Sequence, residues 1–173
     1  MFETVNEFSE YNKIFNEKKA FLKAKIEKFK SLKPGSFEYS CYMDLILVDV
    51  RAMLLENDRY AKNYTIQNHF RRFTEKGKQS LLNKVADNID EYLKIELIEG
   101  LSIKESIKFY VDKFLVHFDD VNSHDFDKKE EIIQSLINNE VYNLQAIVEN
   151  VLEYADSAQS IIIEQTLYNL TKK

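Results

Sequence analysis

Apolar residues recur at steps of three and four positions along most of the chain, which is the spacing of one face of an α-helix. The first such stripe covers about residues 3–32. Pro34 and Gly35 end it, because proline lacks an N–H donor and disfavours a helix in the residue before it. The pattern predicts a long first helix whose buried face carries Val5, Phe8, Tyr11, Phe15, Leu22, Ile26 and Phe29.

The second predicted helix, about 37–57, is apolar on nearly all sides, which is typical of the central helix of a bundle. It also carries Asp44, Asp49 and Arg51. Asp44 and Arg51 are seven positions apart, so they lie two turns apart on one face. Buried charges need partners. We therefore expect these side chains to pair with another helix or to reach the edge of the bundle.

Further helical patterns fill the rest of the chain. Ser102 and Glu105 form a Ser-x-x-Glu capping box at the start of one of them. A polar stretch at 119–126 predicts a loop, after which Asp125 or Asp127 is expected to cap the next helix. The remaining predicted helices are about 65–76, 79–98, 103–118, 127–137 and, after a break at Asn138 and Asn139, 140–170.

Composition supports an all-α fold. The chain has 173 residues with one proline and three glycines, which are few turn formers for a protein built from sheets. We predict one domain, 1–173, folded as an up-and-down bundle of about five to seven helices. The single cysteine, Cys41, is expected in the core and fits a reducing cytoplasm. Neither a secretory signal nor an apolar run long enough to cross a membrane is visible.

Charge is unevenly distributed along the chain. The net charge is −5, which argues against a general binder of polyanions. Residues 1–78 carry a net charge of +4, residues 79–118 carry −2, and residues 119–173 carry −7. The basic and acidic parts can pair within the fold or between subunits, or can leave one positive face.

Most kinds of enzyme site lack their sequence signature here. The chain has three histidines and no His-Glu-x-x-His motif, and its glycines are isolated, so a zinc hydrolase and a phosphate-binding glycine loop are not indicated. A cation could in principle be held by His117, Asp119, Asp120, His124 and Asp125, but loops rich in Asp and Asn usually are solvated and cap helices. We predict no metal and no cofactor.

Basic and aromatic residues alternate in the stretch NHFRRFTEKGK, 68–78. Such a mixture can contact phosphates and stack on bases, and it is also the composition of a helix with aromatic residues in the core and cations in water. The candidate nucleic-acid contacts are Arg71, Arg72, Lys76 and Lys78.

The stretch YVDKFLVHFDD, 110–120, holds the best candidate for catalysis. Lys113 and His117 are four positions apart and are neighbours on a helix, whereas Asp112 lies on a different face from His117. A histidine beside a cation can move the proton of a ribose hydroxyl while the cation stabilises charge on phosphorus. The alternative is an ordinary helix end with a solvated lysine.

This stretch resembles the signature of HEPN domains, in the abortive-infection branch of that superfamily. The Asp, Lys, His and final Asp of that signature match Asp112, Lys113, His117 and Asp119. The apolar second helix with its embedded Arg51 is also similar to a helix of the family, and the resemblance covers about 37–155. It implies an all-helical dimer in which Arg and His from two subunits cleave RNA without a metal.

One departure separates the chain from that signature. Val111 stands where the family has Arg, and lysine does not reproduce a forked guanidinium. Either Lys113 or Arg51 replaces the missing cation, or the protein is an inactive relative. The resemblance thus implies a dimeric RNA-binding protein or metal-independent ribonuclease in phage defence or a toxin system. The alternative is a non-catalytic helical protein that dimerises or binds a partner such as an antitoxin.

Overall fold

A computed structural model describes residues 5–54, 80–116 and 122–171. These residues form a helical bundle with one small hairpin, which confirms the predicted all-α class. The elements are α1 (Val5–Lys30), α2 (Phe37–Leu54), α3 (Ser80–Leu93), β1 (Glu96–Ile98), β2 (Leu101–Ser102), α4 (Ile103–Tyr110) with a π-helical extension (Val111–Val116), α5 (Ser123–Asn138) and α6 (Leu144–Thr171).

Helix α1 ends as the sequence predicts. Gly35 adopts a φ of 80°, a left-handed conformation that glycine accepts without strain. The Ser36 hydroxyl then accepts a hydrogen bond from the backbone N–H of Tyr39 and begins α2. The predicted core stripe of α1 is buried at Phe15, Leu22, Ile26 and Phe29. The side chains at its earlier positions, Val5, Phe8 and Tyr11, lie outside the described residues.

Helix α2 is the central helix, as its apolar sequence predicts. It packs against α1, α6, α4 and the π-helical extension. Its buried side chains are Tyr39, Met43, Ile46, Leu47, Val50, Met53 and Leu54. Cys41 is only partly buried, because α2 leaves one strip of its surface uncovered; the expectation of a core cysteine was wrong in this respect.

The segment after α3 differs from the sequence prediction, which continued the helix to about residue 98. Helix α3 ends at Leu93, and β1 pairs with β2 in an antiparallel hairpin. Gly100 forms the turn with a φ of 74° and donates its N–H to the Glu96 carboxylate at 2.8 Å. Leu97 is buried between exposed Glu96 and half-buried Ile98. Over so short a stretch, the same apolar residues fit both the spacing of a helix and the alternation of a strand, so the sequence pattern did not distinguish them.

Helix α5 begins earlier than predicted, and with a different cap. Asn122 is the N-cap: its side chain accepts from the backbone N–H of Asp125, and the Asp125 carboxylate accepts from the N–H of Asn122. Residues 123–126, predicted as loop, are therefore helical. The Ser135 hydroxyl donates to the Leu97 carbonyl oxygen at 3.0 Å and so ties α5 to the hairpin.

The predicted break before the last helix is present. Asn139 adopts an extended conformation, and its side-chain oxygen accepts from the N–H groups of Val141 and Tyr142. Helix α6 then packs against α1, α2 and α3. Among the described residues, no helix combines the length and the apolar character needed to cross a membrane.

Candidate functional site

Two polar contacts fasten α2 to the segment 110–112. The Tyr110 hydroxyl donates a hydrogen bond to Asp44 Oδ1 at 2.8 Å. Two turns further along α2, Arg51 Nε forms an ion pair with Asp112 Oδ1 at 2.6 Å. Asp44 and Arg51 therefore do share a face and do pair with another helix, as their spacing predicts.

The Asp44–Tyr110 contact lies deeper than the Arg51–Asp112 pair. Burial raises the pKa of Tyr110, and the hydrogen bond to Asp44 and the charge of that carboxylate raise it further. Tyr110 therefore stays a neutral donor at ordinary pH. The side chains of Arg51 and Asp112 are 24 % and 34 % exposed, but the contacting atoms Nε and Oδ1 are buried, so the exposed surface belongs to other atoms of the two side chains.

The backbone of this segment is unusual. Residues Val111–Val116 form a π-helical turn, a conformation that is rare and that is frequent at functional sites. In such a turn, residues five positions apart come together on one side. Phe109 and Phe114 are five apart, and their ring centroids are 5.9 Å apart. The same spacing separates Asp112 from His117 in the sequence.

Lys113 is directed to α5 and not to the Arg51–Asp112 pair. Its Nζ lies 3.0 Å from Asp125 Oδ2. Asp125 also accepts the backbone hydrogen bond from Asn122, and this bond is the largest cause that lowers the pKa of its carboxyl, with the Lys113 contact second. Lys113 thus joins the π-helical turn to the start of α5. Arg51 is the cation that contacts the predicted motif residue Asp112.

The described structure brings together two of the four candidate catalytic residues, Arg51 and Asp112. Lys113 follows Asp112 in the chain, but its side chain pairs with Asp125. His117 lies outside the described residues, and so do all four candidate nucleic-acid contacts, Arg71, Arg72, Lys76 and Lys78. Their roles stay predictions.

Sequence reasoning missed two members of this region. Tyr110 was assigned to an apolar stripe, although its hydroxyl is the partner that Asp44 required. Asp125 was expected to cap α5, but it also holds Lys113. The position of Asp44 in an apolar helix was a usable signal for Tyr110, because a carboxylate there needs a polar partner. Within the described ranges, no three side chains of the types His, Cys, Asp or Glu are grouped as a metal site would require.

Comparisons with known proteins give no relative for this chain: no family model, no curated protein and no solved structure matches it. The geometry around Arg51 and Asp112 therefore has to carry the functional argument. The HEPN resemblance rests on the residues of the chain alone.

Proposed function

We propose that this chain is a HEPN-like dimeric RNA-binding protein that cleaves RNA without a metal, in phage defence or a toxin system. The observation that carries this proposal is the Arg51–Asp112 ion pair at 2.6 Å. It joins the arginine embedded in α2 to the segment that resembles the family signature. Arg51 thereby supplies the guanidinium that this chain lacks at the signature position, where it has Val111.

Arg51 suits this role better than Lys113 does. A guanidinium keeps its charge at all ordinary pH values and contacts phosphate oxygens in a fixed, forked geometry. Lys113 is instead directed to α5, where its Nζ forms an ion pair with Asp125. In the proposed reaction, Arg51 stabilises charge on the phosphorus and His117 transfers protons to or from the ribose and the leaving oxygen.

A dimer places two such sites together. Leu45 and Val48 on α2 are 49 % and 39 % exposed, and with Arg51 they form one row at steps of three residues. This row is apolar at Leu45 and Val48 and then ends in Arg51, the cation of the site. We propose it as the contact between subunits, with the His117 residues of both chains meeting beside it. Arg71, Arg72, Lys76 and Lys78 are proposed to bind the RNA backbone.

Cleavage of labelled RNA in the presence of a chelator tests the catalytic proposal. His117→Ala and Arg51→Gln should each reduce the rate by at least about a hundredfold, since each removes a group that acts in the transition state. His124→Ala is the matched histidine control, because His124 is exposed on the first turn of α5.

A second control separates catalysis from folding. Lys25→Gln removes one partner of another half-buried ion pair, Lys25–Asp49, and should leave cleavage unchanged. Equal cleavage by wild type and His117→Ala, with the fold intact, would remove His117 from the mechanism. A cleavage rate that disappears with the chelator would assign the reaction to a metal instead.

The second candidate is a non-catalytic protein that dimerises or binds a protein partner such as an antitoxin. The exposed row of Leu45 and Val48 favours it, as does Val111 at the motif position. The two candidates differ in one measurement. Leu45→Glu should abolish dimers in both, but only the ribonuclease loses RNA cleavage with His117→Ala while it remains dimeric.

A further inference from the structure

Four aromatic rings gather beside the proposed active site. Phe114, in the π-helical turn, is the centre of the cluster, with ring centroids of Phe109, Tyr110 and Phe126 at 5.9, 6.2 and 5.8 Å. Tyr110 is buried, Phe109 and Phe114 are partly covered, and Phe126 is 56 % exposed. The cluster therefore runs from the core to the surface and ends in one open ring.

A cation accompanies the cluster. Lys129 Nζ lies 4.8 Å from the ring centroid of Phe114 and 5.7 Å from that of Tyr110, within the range of a cation–π contact. Lys129 follows Phe126 by three residues on α5, so the two are neighbours on the helix surface. An exposed ring with a lysine beside it offers a flat apolar face and a positive charge at once.

The cluster and the Arg51–Asp112 pair are connected through one ion pair and two chain neighbours. Asp112 precedes Lys113, Lys113 binds Asp125 at 3.0 Å, and Asp125 precedes Phe126. The π-helical turn thus carries Asp112 of the ion pair and Phe114 of the cluster two positions apart, and Lys113 and Lys129 are cations of the same region. Single-stranded nucleic acids are held by this combination, in which bases stack on aromatic rings and cations follow the backbone.

We infer that Phe126, supported by Phe114 and flanked by Lys129, is a stacking platform for an unpaired base of single-stranded RNA at the proposed cleavage site. This inference rests on the proposed function and names its substrate class. A base inside a duplex has both faces covered by its neighbours and cannot use the ring. The platform therefore favours single strands and loops over duplexes.

Fluorescence anisotropy with a labelled single-stranded oligouridine tests the platform. Phe126→Ala should weaken binding by about 5- to 150-fold, the range that loss of one base–aromatic stack gives. Phe126→Leu, which keeps an apolar side chain but has no aromatic face, should also weaken it, whereas Phe126→Trp should bind as well as wild type. Phe126 is more than half exposed, so these variants should fold.

Two controls make the result specific. Phe21→Leu changes a ring that is 65 % exposed on α1 and should leave binding unchanged. An otherwise identical strand with abasic nucleotides should bind weakly and should not distinguish Phe126→Leu from wild type. Equal losses of RNA affinity in Phe126→Leu and Phe21→Leu would overturn the platform. An abasic strand that binds wild type more tightly than Phe126→Leu would also overturn it.

The remaining outcomes separate this inference from the function on which it rests. If wild type cleaves RNA in an Arg51-dependent way and Phe126→Leu binds and cleaves equally well, only the platform is refuted. If wild type neither binds nor cleaves any strand, the proposed function is refuted as well. If sedimentation shows that Phe126→Leu alters the dimer, Phe126 belongs to a contact between copies of the chain and the platform is again refuted.

Discussion

The ion pair between Arg51 and Asp112 should contribute measurably to stability, and a double-mutant cycle isolates its contribution. The variants are Arg51→Gln, Asp112→Asn and the combination of both. Each single change leaves one charge in a half-buried position without this partner, so each should lower the free energy of unfolding by about 2–3 kcal/mol, less than for a fully buried pair. The double variant should lose less than the sum of the two.

The expected coupling follows from the burial of the pair. Two unit charges about 4 Å apart attract by about 1 kcal/mol in water and by about 4 kcal/mol near a protein surface of lower dielectric. The side chains are 24 % and 34 % exposed, which places the pair between these limits. Ordering and desolvation of the side chains offset part of the attraction, so we expect a coupling free energy of about 1–2 kcal/mol.

Lys94 and Glu91 provide the matched control. Their contact is of similar length, 2.8 Å, but the side chains are 69 % and 74 % exposed. The same cycle there should give a much smaller coupling, because solvent screens both charges. Equilibrium urea unfolding followed by circular dichroism measures both cycles. If the Arg51–Asp112 coupling is no larger than that of the exposed pair, the argument that α2 anchors this segment electrostatically is wrong.

Three further predictions concern caps, pH and the core. Ser102→Ala should lower the free energy of unfolding by about 1 kcal/mol because it removes the N-cap of α4, and Ser102→Asp, which keeps an acceptor, should restore most of it in the same urea assay. The pKa of the Asp125 carboxyl is lowered in the folded state. Its contribution to the free energy of unfolding is therefore present above about pH 4 and is lost as the pH falls through the folded-state pKa. The stability difference between wild type and Asp125→Asn should accordingly be constant at pH 5–7 and shrink at lower pH, and a difference that grows instead would contradict the assigned contacts. Ile46→Ala, at a fully buried position of α2, should cost about 2–5 kcal/mol, whereas Leu45→Ala on the open face should cost far less, and equal costs would contradict the orientation of α2.

Helix positions were readable from the sequence because the signals that set them are local. The stripe of α1, the stop at Pro34 and Gly35, and the capping box at Ser102 each involve residues within a few positions of one another. The hairpin after α3 was missed because the local apolar pattern there also fits a helix. Ile95 and Leu97 fit the end of a helical stripe, but the turn at Gly100 and the bond from α5 to Leu97 place Leu97 in a hairpin strand.

The sequence predicted that charged residues of the candidate site need polar partners, but not which residues those partners are. Asp44 and Arg51 stood in an apolar helix at a spacing of two turns, so the sequence alone required polar partners for one face of α2. It could not name Tyr110 and Asp112, nor direct Lys113 to Asp125, because those contacts depend on how α2, α4 and α5 pack.

The sequence by itself thus determined most of the described helices, the stop at Pro34 and Gly35, the cap at Ser102 and the presence of charges that had to be paired. These features depend on backbone propensity and periodic burial, which act over one or two turns. The tertiary structure alone decided that residues 111–116 widen into a π-helical turn and that Arg51 meets Asp112. The Arg51–Asp112 contact joins segments about sixty residues apart in the chain, as does the neighbouring Tyr110–Asp44 bond. Such contacts are selected by the packing of the whole bundle.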